Sequence, residues 1–254
     1  MPIPNDSPQT IDLNCDVGEG TGQDALLIPL VSSVNIACGG HAGSHALMRD
    51  TVALAAHHGV AVGAHPGHRD REHFGRRQLA VGPSEAARVV VEQLDEFTQV
   101  TDTCFDHVKL HGGLYHQVAH DQRLAEAVCQ ALADHWPAAK LVLPVASVAI
   151  ERAVAHGLIV TREAFLDRAY TDEGGLLPRS EPGSVLCDAA AVAQRAVQLV
   201  QHGQVIAASG QLLSLTSDTL CVHGDSPSAF QLLQQIRAAF TAAGIRVARH
   251  SGID

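Results

Sequence analysis

Five times along this chain an apolar, β-rich run stops at an ionisable residue beside glycine or an equally turn-prone position. The runs are Ile11-Asp-Leu-Asn-Cys-Asp16-Val-Gly-Glu19, Val34-Asn-Ile-Ala-Cys-Gly-Gly-His41, Val60-Ala-Val-Gly-Ala-His65, His107-Val-Lys109-Leu-His111-Gly and Leu220-Cys-Val-His223-Gly-Asp225. Reactive side chains at the ends of several different strands are the one-dimensional form of a β/α barrel active site. The chain therefore reads as an enzyme built on such a barrel.

Length agrees, since 254 residues suits one β/α barrel. Hydrophobic residues make up 46% and aromatics only 4%, so the core must come from Ala, Val, Leu and Ile. The net charge of −10, with no run of Lys or Arg longer than two, leaves no basic stripe for a nucleic-acid backbone. Six cysteines occur without a Cys-x-x-Cys pair, so neither a disulfide framework nor a structural zinc site is expected. Residues 1–10 read as a flexible tail without a signal peptide, and residues 11–254 as one catalytic domain. The longest apolar stretch, Ala25–Val31, contains Pro29 and is far too short to cross a membrane, which makes a cytoplasmic protein the expectation.

Strand and helix patterns alternate, which predicts a parallel sheet of βα units. Strands are expected near 11–15, 33–38, 60–64, 105–109, 140–144, 158–162 and 219–222. Helices are expected near 44–58, 84–100, 121–135, 147–156, 188–202 and 227–243, from apolar positions that share a face, such as Val90, Leu94 and Phe97. Ser44 is a candidate N-cap, Ser226-Pro227 a helix start, and Gly244 a left-handed helix stop. Two long irregular stretches, 66–83 and 167–184, follow strands whose ends carry candidate site residues.

Histidines number 16, so each is judged by position. His41, His65, His111 and His223 each follow a buried run and open a loop at a strand's C-terminal end. His57, His58, His120, His135, His156, His202 and His250 fall on helices, helix ends or the tail, where a solvated imidazole suffices. His45, His68, His73, His107 and His116 stay open. Asp16 and Glu19 can form part of an acid/base pair, or Asp16 a metal ligand, with turn capping as the alternative. Lys109 is expensive to bury without an anion, which either a ligand phosphate or carboxylate or an internal carboxylate can supply. Asp167, Arg168, Tyr170 and Arg179 crowd into one segment, and an arginine fork suits an anionic substrate group. His-Glu-x-x-His, Gly-x-Ser-x-Gly and the Walker A loop are missing, which argues against those metalloprotease, serine-hydrolase and self-contained ATPase mechanisms.

Taken together, Ile11–Glu19, Asn35–Gly43, Val62–Gly67, Phe74-Gly-Arg-Arg77, His107–Tyr115, Asp167-Arg-Ala-Tyr170, Leu177-Pro-Arg-Ser180 and Cys221–Asp225 occur in an order that resembles the LamB/YcsF family. The resemblance runs from residue 11 to about 248. It implies a distorted seven-stranded β/α (TIM-like) barrel of the glycoside hydrolase/deacetylase type. It also implies ATP-dependent opening of the lactam ring of 5-oxo-L-proline to L-glutamate, performed with 5-oxoprolinase subunits B and C. Opening a resonance-stabilised lactam is uphill, so phosphorylation of its oxygen by ATP on the partner subunits would supply an activated imidate. Asp16, Glu19, His41, His65, Lys109, His111, Asp167, His223 and Asp225 are then the candidate catalytic residues. Asn14, Arg168, Tyr170 and Arg179 are candidates for substrate binding. In that scheme Asp16 or Glu19 activates water, a histidine protonates the departing nitrogen, and Lys109 and Arg179 face phosphate or oxyanion charge.

Two other readings stay open from the residues alone. One is a metal-dependent deacetylase or amidohydrolase on the same barrel, with Asp16, His41 and His65 as ligands to a divalent metal. The other is a non-catalytic barrel that holds an acidic ligand for a partner.

Overall fold

Period-two alternation in the first strand sets the architecture. A computed structural model describes residues 9–250, and in it β1 (Thr10–Val17) turns Ile11, Leu13, Cys15 and Val17 outward and Asp12, Asn14 and Asp16 inward. The chain continues through a short α1 (Asp24–Leu27), β2 (Ser33–Ala37), α2 (His45–His57), β3 (Ala61–His65), α3 (Pro83–Thr101), β4 (His107–Lys109) and α4 (Gly112–His120). It then forms α5 (Gln122–His135), β5 (Lys140–Pro144), α6 (Ala149–Ala155), β6 (Val160–Phe165) and α7 (Ala189–His202). A two-stranded antiparallel ribbon, β7 (Gln204–Ile206) and β8 (Leu212–Ser214), precedes β9 (Thr219–Val222), α8 (Ala229–Ala242) and β10 (Arg246–Val247).

The parallel strands run in the order β1-β2-β3-β4-β5-β6-β9, and β9 returns to pair with β1, for example Asn14 opposite Cys221. A closed barrel of seven parallel strands results. β10 adds to the outside of β1 at Thr10 and Ile11. All seven barrel strands fall where the sequence predicts them, β6 extending to Phe165 rather than ending at 162. Of the expected tail 1–10, residues 1–8 lie outside the described residues, whereas Thr10 already belongs to β1.

The apolar core lies between the barrel and its helices. Val34, Ile36, Val108, Leu220 and Val222 on the strands meet Leu94, Phe97, Val128, Leu132, Leu232 and Ile236 on the helices, all buried. At about 1.5–3 kcal/mol for each large side chain, this shell supplies the main favourable term for folding. The barrel interior is polar instead. Asn14 Nδ2 donates to Glu163 Oε1 at 3.0 Å and to Thr219 Oγ1 at 2.8 Å, and Asn35 Nδ2 donates to Asn14 Oδ1 and Asp16 Oδ1, each at 2.8 Å. His107 Nε2 donates to Asn35 Oδ1 at 2.8 Å, in space left by Gly63, where a Cβ would lie 2.1 Å from that nitrogen. Buried polar groups are tolerable because they satisfy one another.

Local signals explain most element ends. Ser44 caps α2 by accepting from Leu47 N–H, Pro83 opens α3, and Gly244 takes φ +69° just past α8. Ser226-Pro227 forms a turn, and α8 starts two residues later at Ala229. Among the described residues no helix is long and apolar enough to cross a membrane.

Candidate active site

The C-terminal mouth of the barrel opens into a cavity of about 490 Å³. Asp16, His65, Lys109, His111 and His223, from the ends of four strands, line it together with Arg76, Tyr115, His116, Phe165 and Arg179. Five of the predicted strand-end residues therefore converge from positions more than two hundred apart in sequence.

Lys109 lies at the centre. Its Nζ sits 2.9 Å from Asp16 Oδ1, 2.8 Å from Glu163 Oε1 and 3.1 Å from Cys221 Sγ, and all four residues are buried. The internal ion pair thus satisfies the lysine. Burial alone would raise the Asp16 pKa, but the Lys109 ammonium and then His65 outweigh it and hold the carboxyl well below the usual range. Burial likewise opposes the charge on Lys109, and Asp16, Cys221 and Glu163 more than restore it.

A second cluster stands beside this pair. His65 Nδ1–H donates to the Lys109 carbonyl at 2.7 Å, and His111 Nε2–H donates to the Phe74 carbonyl at 2.8 Å. Their remaining nitrogens, His65 Nε2 and His111 Nδ1, face each other at 3.0 Å. Phe74 takes a left-handed conformation (φ 54°), uncommon for a bulky residue, and the carbonyl it aims is the one that fixes His111. His41 lies behind, its ring stacked on His111 at 3.6 Å with Nε2 3.3 Å from Glu19 Oε1. Burial, then neighbouring His65, pushes the His41 pKa well down; for His111 burial, then His41 and His65, does the same. Burial, followed by the charges of Asp16 and Asp225, pushes Glu19 well up.

Just past β9, the neighbour of β1, His223 Nδ1–H donates to Asp167, 3.0 Å from both carboxylate oxygens, and its backbone N–H donates to Asp167 Oδ2 at 3.0 Å. Burial pushes Asp167 up, but His223 overrides it and leaves the carboxyl below its ordinary value. The ring of His223 stacks on Phe165, and among the described residues no hydrogen-bond partner takes its Nε2.

The other predicted residues have different surroundings. Asp225 ion-pairs with Arg76. Arg168 is buried and donates to the carbonyls of Ser184 and Leu177, so it braces the 167–184 loop even as it lines the cavity. Tyr170 lies away from the cavity, its hydroxyl accepting from Phe165 N–H. Asn14 sits one layer below Asp16 and holds Glu163. Arg179 is exposed at the cavity rim. In the sequence Glu163 shows only as one more carboxylate of the segment that carries Asp167 and Arg168, and Asn35, Tyr115 and Arg76 carry no assigned role. Glu163 is nevertheless legible: it alternates with Thr161 and Phe165 along β6, the period that places it inside the barrel.

A model of the LamB/YcsF family matches residues 11–254. The chain belongs to the LamB/YcsF family. A relative from Symbiobacterium thermophilum, named as the A-type subunit of 5-oxoprolinase, is 44% identical over 93% of this chain and 94% of its own length. One of the same name from Staphylococcus carnosus is 40% identical over 95% and 99%. The crystal structure of a lactam utilization protein from Thermus thermophilus superposes with a TM-score of 0.86 at 40% identity, covering 94% of this chain and 99% of that one. A family 4 carbohydrate esterase from Streptomyces lividans shares the fold alone, with a TM-score of 0.50 at 10% identity over 95% of this chain and 92% of that one.

Proposed function

We propose that this chain is the A-type subunit of an ATP-dependent 5-oxoprolinase and performs the ring-opening step, partner subunits B and C having phosphorylated the lactam oxygen of 5-oxo-L-proline with ATP. The observation that carries the reading is one small cavity in which an ionised carboxylate at the end of β1 stands beside a carboxylate-held histidine at the end of the neighbouring β9. Relatives named for the A-type subunit of 5-oxoprolinase, matching along nearly the whole chain, supply the substrate. A volume of about 490 Å³ suits a phosphorylated five-membered ring.

In this mechanism Asp16, kept ionised by Lys109, accepts a hydrogen bond from water and aims its oxygen at the imidate carbon. Water adds to the C=N bond, the ring nitrogen gains a proton through His223 Nε2, and the C–N bond breaks with its electron pair left on nitrogen. Asp167 keeps His223 in the tautomer whose Nε2 faces the reaction. The product of that step is an acyl phosphate, which a second water cleaves to L-glutamate and phosphate. Arg179 at the rim offers charge to the phosphate or carboxylate.

Reconstitution with B- and C-type subunits is the test. The mixture should consume ATP and release glutamate only when 5-oxoproline is present, and this chain alone should do neither. Robust lactam cleavage by the isolated chain without ATP would overturn the division of labour.

A further inference from the structure

The geometry points to a divalent transition-metal site built by His65 Nε2, His111 Nδ1 and Glu19 Oε1 at the inner wall of the cavity. Two backbone carbonyls carry the argument. A carbonyl can only accept, so His65 must hold its proton on Nδ1 and His111 on Nε2. The two nitrogens that face each other at 3.0 Å are therefore both bare in the neutral rings. Opposed lone pairs at that distance repel unless a proton or a metal ion lies between them, and the titration below tells the two apart. A ring whose outer N–H is fixed by a backbone carbonyl is also the usual arrangement behind a metal-bound histidine.

Distances agree. Zn²⁺ binds imidazole nitrogen at about 2.0–2.1 Å, which sets donors in one coordination shell about 3.0–3.5 Å apart. The His65–His111 nitrogens are 3.0 Å apart, and Glu19 Oε1 lies 3.6 Å from His111 Nδ1, just beyond that range and within reach of a small side-chain adjustment. His41 also lies in this cluster, the four donors falling within 4.8 Å of one another. Its ring, however, is parallel to that of His111 within 4° and 3.6 Å away, so a single ion cannot lie in both ring planes. His41 is better placed as the residue that steers Glu19, through Nε2 at 3.3 Å.

Charge gives an independent reason. Asp16, Glu19 and Glu163 are buried carboxylates within this one neighbourhood, and Lys109 is the buried ammonium that pairs with two of them. With the histidines neutral, a dication balances that set. Two imidazoles and a carboxylate suit Zn²⁺ and its neighbours rather than Mg²⁺ or Ca²⁺. His65 and His111 line the cavity, which leaves a coordination position for water or substrate oxygen on the open side. That catalytic use, though not the binding, rests on the ring-opening reading.

The test uses the isolated chain, stripped with chelator and titrated with Co²⁺ and then Zn²⁺, following visible Co²⁺ absorption and metal content after dialysis. One equivalent should bind, with Zn²⁺ displacing Co²⁺ and millimolar Mg²⁺ without effect. His65→Ala and His111→Ala should each weaken binding at least about tenfold. His111→Gln serves if the alanine variant does not fold, and the exposed pair His57→Ala/His58→Ala should bind as wild type. A folded, stripped wild type that takes up no Co²⁺, or binding that survives loss of both His65 and His111, overturns the site. No lactam is present, so the outcomes separate. Binding without turnover in the reconstituted complex removes the ring-opening role and keeps the site; full turnover in chelator keeps the ring-opening role and overturns the metal's catalytic use.

Discussion

Lys109 Nζ approaches Asp16 Oδ1 to 2.9 Å at the mouth of the barrel, and the lysine is 3% exposed at its side chain. The pair ties the fold to the chemistry. The same ammonium neutralises a buried carboxylate for folding and keeps Asp16 ionised for the reaction.

Replacing Lys109 with Met should therefore be costly to stability. It leaves Asp16 and Glu163 buried without their counter-ion, a loss of about 3–5 kcal/mol for a broken buried pair. In a chain of this length that lowers Tm by about 6–20 °C. Adding Glu163→Gln removes one of the stranded charges, so the double variant should melt above Lys109→Met alone. Calorimetry on both proteins checks this, and additive losses would show that the two groups do not interact.

Asp16→Asn should separate stability from catalysis. Its carbonyl oxygen can still accept from Asn35 Nδ2 and Lys109 Nζ, and Glu163 still balances the lysine. Melting should fall, since a carboxyl held well below its usual range stabilises the fold at neutral pH, but by less than in Lys109→Met, while glutamate release by the reconstituted complex falls about 10²-fold or more. Equal losses in both measurements would make Asp16 a structural residue.

How much of this is readable in the sequence depends on which face of each strand is considered. The outward residues of β1 and β2 announce themselves as apolar, so strand positions and barrel class follow. The termini of the runs give Asp16, His65, Lys109, His111 and His223. Interior partners are harder: Asn35 lies within a strand and looks like an ordinary polar break until the barrel closes, and Glu163 shows only through its alternation with Thr161 and Phe165. Tyr170 and Arg168 sit in a segment whose composition suits anion binding, yet the fold uses Tyr170 and much of Arg168 to bind backbone. Helix α4 escapes the sequence pattern because it opens with Gly112-Gly113. Cβ atoms there would lie 2.6 Å from Gly75 O and 2.1 Å from Arg77 O, so packing against the 66–83 loop demands two poor helix formers.

Acid should destabilise the protein from near pH 6.5 downward. Burial, then His41 and His65, holds His111 well below 6.5; burial, then His65, does so for His41. Burial, then Arg168, pushes His116 down to about 4. Unfolded histidines take up protons near pH 6.5 that these folded ones refuse, so the unfolded state binds more protons and stability falls as pH drops. The His116 contribution is complete above about pH 6.5 and gone once pH reaches its folded value of about 4. Glu19, pushed up, works the other way below its raised folded value, and the depressed carboxyls of Asp16 and Asp167 add losses only below the ordinary aspartate range. Urea midpoints measured in chelator should decrease in order at pH 7.5, 6 and 5, and a profile that stays flat in Glu19→Gln as well would show that the buried imidazoles already carry protons.

Arg179 offers a cleaner view of substrate charge than any residue inside the barrel. It is exposed at the cavity rim, and its backbone carbonyl, which accepts from Ser184 Oγ, is its only hydrogen-bonding group engaged among the described residues. Arg179→Ala should therefore leave Tm unchanged. If the guanidinium meets the substrate's carboxylate or phosphate in ground state and transition state alike, KM in the reconstituted complex rises with little change in kcat. A charge-assisted hydrogen bond at a half-open site contributes about 1.5–3 kcal/mol, or roughly 10- to 100-fold in kcat/KM. Arg179→Lys should recover part of that loss, since it restores charge without the two-pronged geometry, and added salt should narrow the gap between wild type and variant. A fall in kcat at unchanged KM would instead place Arg179 on charge that develops only during ring opening.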